Sequence, residues 1–105
     1  MEPINFEDAL YQLKRDEVVI PTLGGRSKLI IKVENDLILI TNSKNSKLIV
    51  ANDLWEKVMN RMSEIPQAER GMSSRYSVGN NLYNWKNCPN RDAASVTAIV
   101  KYLSK

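Results

Sequence analysis

Between Gln67 and Arg91 the chain carries four bases, Arg70, Arg75, Lys86 and Arg91, against the single acid Glu69. Three aromatics, Tyr76, Tyr83 and Trp85, and five asparagines, among them Asn80, Asn81 and Asn84, are interleaved with them. Arginine pairs with phosphate or guanine, asparagine with adenine, and aromatic rings stack on exposed bases, so these types together suit a nucleic-acid surface. The segment shows neither helix nor strand periodicity, and a loop this long in a small domain is commonly functional or disordered. Its aromatics argue against disorder. A plainer reading stands beside this one, in which the aromatics close the core and the asparagines serve turns and caps.

Other chemistries are weakly supplied. Histidine is absent, which removes the commonest general base and the commonest zinc ligand, and Cys88 is the lone cysteine. A Cys-His pair is therefore excluded, and no catalytic residue, metal ligand or cofactor site is expected. Gly24-Gly25-Arg26-Ser27-Lys28 can offer backbone N–H groups and two cations to a phosphate, or can simply be a tight turn with solvated charges. Glu34, Asp36 and Lys47 would make a carboxylate-metal nuclease site only if the hairpins brought them together.

A chain of 105 residues with 43% hydrophobic and 26% charged content reads as one soluble domain, 1–105, with a single core. The N-terminus lacks a signal-peptide pattern and no apolar run is long enough to span a bilayer, so a cytoplasmic protein without membrane contact is expected. The net charge of +3 is unevenly placed. Residues 1–40 hold seven acids and five bases (−2), whereas residues 41–105 hold five acids and ten bases (+5). Such asymmetry fits a polyanion partner as well as an ordinary solvated surface.

Asn5 can cap a first helix whose Phe6, Ala9, Leu10 and Leu13 share one face. Glu7 and Asp8 in its first turn, with Lys14 and Arg15 in its last, match the helix dipole. Val18 to Ile20 reads as an edge strand or extended lead-in, because Pro21 cannot sit in a central strand. An antiparallel meander follows. Leu29, Ile31 and Val33 alternate with Lys28, Lys32 and Glu34, Asn35-Asp36 makes a two-residue turn, and Leu37–Thr41, apolar on both faces, is central. Asn42–Ser46 turns the chain into Lys47–Val50. A second helix starts at Asn52 or Asp53, with Asp53 and Glu56 at capping-box spacing. It buries Leu54, Trp55, Val58, Met59 and Met62 before Pro66 ends it. A last helix opens at Asn90, with Val96, Ile99, Val100 and Leu103 on one stripe. The fold class is therefore α+β: a three- or four-stranded antiparallel meander, an N-terminal helix and two C-terminal helices.

The run Asn90-Arg91-Asp92-Ala93-Ala94-Ser95 opens its helix with an Asn-Arg-x-x-x-Ser pattern. With the meander and the Asp53-Leu54-Trp55 helix start, it resembles the small α+β modules that accompany bacterial restriction endonucleases and related DNA-handling proteins, over residues 23–103. The resemblance implies association with DNA and transfers no catalytic residue. The leading expectation is a non-enzymatic nucleic-acid-binding module of bacterial or phage type, favouring DNA. Arg70, Arg75, Lys86, Arg91, Arg26 and Lys28 would make phosphate or base contacts, Lys44 and Lys47 further ones, and Asn80, Asn81, Tyr83, Asn84 and Trp85 would read or stack. The alternative is a protein-interaction or assembly module, meeting a partner or a second copy through the Val18–Thr22 edge or the loop aromatics. A metal-dependent nuclease comes third.

Overall fold

The computed structural model describes residues 1–13, 17–76 and 90–104. Helix α1 (Phe6–Leu13) is followed by strands β1 (Val18–Pro21), β2 (Lys28–Glu34), β3 (Leu37–Thr41) and β4 (Lys47–Val50), then α2 (Asn52–Glu64) and α3 (Asn90–Leu103). The strands form one antiparallel sheet in the order β1-β2-β3-β4, which gives the four-stranded form of the expected meander. β1 is an edge strand, where Pro21 pairs with Lys28 at the end of the ladder and deprives no central neighbour of a donor.

Strand alternation sends Ile20, Leu29, Ile31, Ile38, Ile40 and Val50 to one face, where the helices cover them. From the helices come Phe6, Ala9, Leu13, Trp55, Val58, Met62, Val96, Ile99 and Val100. Among the described residues no element covers the other face, where Val19, Ile30 and Ile49 are exposed. At Asn35-Asp36 both residues adopt positive φ (53° and 60°), the conformation that matches a two-residue turn to the right-handed twist of the strands. Gly25 (φ 78°) supplies the same freedom in the β1–β2 turn.

Asn5 caps α1 as expected, its Oδ1 accepting the Asp8 N–H at 2.8 Å. The basic last turn expected from Lys14 and Arg15 lies outside the described residues. The capping box expected at Asp53 and Glu56 does not form. The helix begins at Asn52, the earlier of the two expected starts, with the N-cap on Ala51 and no side-chain cap, so Asp53 lies inside the first turn and accepts from the neighbouring Leu54 N–H at 3.0 Å. Ile65, held extended by Pro66, ends α2 (φ −87°, ψ 135°).

The early part of the 67–91 segment is more ordered than its pattern implied. It forms two 3-10 turns, Gln67–Glu69 and Ser73–Tyr76, each too short to print a periodicity on the sequence. Tyr76 is fully buried and donates its hydroxyl to the Arg70 carbonyl at 2.6 Å. Burial raises the pKa of the phenol above its usual value, while the nearby Thr97 hydroxyl and the Arg70 charge oppose the rise. That Thr97 hydroxyl is itself buried and, despite its nearness, does not reach hydrogen-bond geometry with any described group. Trp55 donates Nε1–H to the Ile4 carbonyl at 2.6 Å and packs on Phe6, pinning the N-terminal segment to α2. Among the described residues no helix is long and apolar enough to cross a membrane.

Candidate nucleic-acid interface

Hairpin register decides where the cations go. Pro21 faces Lys28, and Thr41 faces both Ile30 and Lys47, so the β1–β2 and β3–β4 turns lie at the same end of the sheet. Arg26, Lys28, Lys44 and Lys47 are therefore gathered at that end, all of them exposed. Residues 18–33 and 37–52, which supply both turns and nearly all of the sheet, contain no acid. The sheet acids Glu34 and Asp36 stand at the opposite end, beside the β2–β3 turn.

Each basic turn is fixed by its own hydrogen bonds. In β1–β2, Thr22 N–H donates to Ser27 O and Gly25 N–H to Thr22 O, both at 2.9 Å, while Ser27 N–H donates to Thr22 Oγ1 at 3.3 Å. In β3–β4, Asn42 Oδ1 accepts the Lys44 and Ser46 N–H groups, both at 2.9 Å, and Asn45 takes positive φ (63°). Turns locked in this way hold the lysine backbones in fixed positions while the long side chains stay in water.

Between these turns and α3 lies a cleft of about 300 Å³, lined by Thr22, Leu23, Ser27, Leu29, Asn42, Ser43, Lys44, Ala94 and Ser95. A smaller hollow of about 140 Å³ shares Leu29, Asn42 and Ser95 with it and adds Ser46, Lys47 and Leu48. The two share enough of their lining to make one trough, which combines aliphatic side chains with hydroxyls, an amide and two lysines.

The residues proposed from the 67–91 segment divide. Arg70 is turned inward, its side chain only 12% exposed. Its guanidinium donates to Ile65 O at 2.9 Å, Met1 O at 3.0 Å and Ser63 O at 3.4 Å, and lies 3.6 Å from Glu2. It clamps the N-terminus to the end of α2 rather than standing on a surface. Arg75 is half-buried, with its Nε donating to Glu69 Oε1 at 2.5 Å. Tyr76 follows the core-closing reading. Asn80, Asn81, Tyr83, Asn84, Trp85, Lys86 and Cys88 lie outside the described residues. Arg91 is placed in the first turn of α3. Ser73 approaches the basic end directly, because a Cβ on Gly24 would stand 3.6 Å from Ser73 Oγ.

The conjectured carboxylate-metal site is not assembled. Glu34 pairs with Leu37 and Lys47 with Thr41, four residues apart along β3, a separation of about 13 Å at the strand rise. Among the described residues no three acids or cysteines are grouped to hold a metal ion. Instead Asp36 joins Glu7 and Glu56 around a groove of about 1110 Å³ at the acidic end, floored by Phe6, Leu10 and Met59. Of the trough residues, residue type and spacing mark Ser95 only as part of a helix-opening pattern, Asn42 only as a turn residue and Thr22 only as the end of an edge segment, none of them as a binding residue. The signal that finds them is the register, which shows that two turns 20 residues apart in sequence share one end.

No protein-family model matches this chain, and no curated protein or solved structure is similar to it at a significant level.

Proposed function

We propose that the chain is a small non-enzymatic nucleic-acid-binding module whose grip on the phosphate backbone comes from the end-of-sheet cations Arg26, Lys28, Lys44 and Lys47. One observation carries this reading: two separate turns, neither of which contains an acid, deliver four exposed cations to one end of the sheet, beside the trough and Ala94 and Ser95 of α3. Such clustering raises the local potential and favours a polyanion. The cations expected from the 67–91 segment shift in weight accordingly. Arg70 and Arg75 are engaged within the fold, and the turn lysines take the main part. Fluorescence anisotropy with DNA and RNA oligonucleotides tests the reading across a salt series. Four neutralised phosphates predict a log-log slope of about −3.6 on duplex DNA and about −2.8 on a single strand. Absent affinity at about 50 mM salt, or affinity indifferent to salt, would overturn it.

A second reading rests on the sheet face that none of the described elements covers. Val19, Ile30, Leu39 and Ile49 form an aliphatic band across all four strands, with Val19 56% and Ile49 62% exposed. An open aliphatic band of this extent, with no cation-lined hollow in it, suits a protein partner or a second copy. Sedimentation velocity on the chain and on Ile49→Lys tests it: a concentration-dependent dimer abolished by the lysine supports assembly, and a monomer at all concentrations removes self-assembly.

A further inference from the structure

We infer that the trough between the two basic turns and α3 holds one unstacked nucleotide of a single strand, its base on the aliphatic floor and its flanking phosphates at the lysines. The inference rests on the nucleic-acid reading above and adds which form of the polymer is taken. A phosphate alone would leave the floor unused. Leu23, Leu29, Leu48 and Ala94 supply the aliphatic part of the lining, and a planar apolar face is the part of a nucleotide that can cover them. The polar groups of the lining are of the kind that bond a base edge or a sugar. Ser95 and Ser27 bring hydroxyls, and Asn42, whose Oδ1 is consumed by two backbone N–H groups, keeps its amide nitrogen to donate. Lys44 and Lys47 lie at the mouth, where phosphates would run past.

Size and shape point the same way. A volume of about 300 Å³ is at the lower limit of small-ligand sites, the scale of a single nucleoside. A base inside a duplex is stacked and paired, and reaches such a hollow only after being flipped out, at a cost that a single strand does not bear. A strand already unpaired should therefore bind better than the same sequence in a duplex.

The experiment compares a labelled 12-nucleotide single strand, as DNA and as RNA, with the matching duplexes at one salt concentration. The single strand is expected to bind about tenfold or more tighter. Ser95→Leu, which fills the trough from the half-buried face of α3, should bring single-strand affinity down to the duplex level and leave the salt slope unchanged. Amide NMR of the unaltered chain titrated with adenosine or cytidine monophosphate gives a readout independent of that variant. Saturable shifts at Leu29, Asn42 and Ser95, absent with inorganic phosphate, support the nucleotide site. Equal affinity for single strand and duplex with an intact salt slope overturns this inference alone, as do shifts reproduced by inorganic phosphate. Loss of all salt-sensitive binding overturns the underlying reading as well.

Discussion

Tyr76 donates its phenolic hydrogen to the carbonyl of Arg70 at 2.6 Å, while the guanidinium of that same Arg70 reaches back to Ile65 and Met1. One residue thus accepts from the core through its backbone and donates to three other residues' backbones, Ser63 included, through its side chain. A basic residue in an irregular segment has become a fastening for the N-terminus.

Arg70→Ala should therefore lower stability rather than affinity. Loss of charged hydrogen bonds to buried carbonyls is expected to cost about 2–3 kcal/mol in urea unfolding, with the exposed Glu2 partner adding little. The salt slope of nucleic-acid binding should stay unchanged; a fall of one unit would return Arg70 to the interface.

Alkaline pH should loosen the fold through Tyr76. Its folded pKa lies above the unfolded value near 10, so the folded state keeps a proton that the unfolded state gives up. Its stability contribution is whole below about pH 10 and declines as pH rises through the folded value. Tyr76→Phe should remove that decline and cost about 1 kcal/mol at neutral pH. Chemical denaturation at neutral pH and above pH 10 measures both, and an alkaline loss undiminished in Tyr76→Phe would show that another group is responsible.

Single replacements at the basic end should each act alike. Lys44→Ala and Lys47→Ala are expected to flatten the salt dependence by about one unit apiece, with similar losses for every sequence tested. Arg61→Ala makes the control, since Arg61 pairs with Glu64 at 3.4 Å on α2 and belongs to neither sheet turn nor the trough lining. Equal losses from all three would show that net charge, not placement, governs binding.

Asp36→Gly should raise thermal stability. Asp36 sits at φ 60°, a conformation glycine adopts without Cβ strain, and Asn-Gly is the preferred pair for this turn. A gain of about 0.5–1 kcal/mol, or a few degrees in Tm, is expected in calorimetry, with nucleic-acid affinity little changed. An unchanged or lowered Tm would mean that the carboxylate makes a compensating contribution.

Strand alternation made the sheet readable from residue order, because Leu29, Ile31, Ile38 and Ile40 leave only one register that buries them all. The helices were equally visible in their apolar stripes, save for the start of α2, where backbone geometry chose Ala51 over the better capping residue. The candidate site was legible in part. Arg26 and Lys28 belonged to a recognisable turn, but their partnership with Lys44 is a product of topology, which no local spacing records. Arg70 misled for a related reason. Whether an arginine faces water or the carbonyls of Ile65 and Met1 depends on a residue 69 positions away.

The separation of Arg26 and Lys44 at one end from Glu7, Asp36 and Glu56 at the other also gives the molecule an electric axis along its strands. In the field of a polyanion such an axis feels a torque before any contact is made, so first encounters would be oriented ones. The basic end would lead, and the acidic groove would trail toward solvent, left open to whatever else arrives.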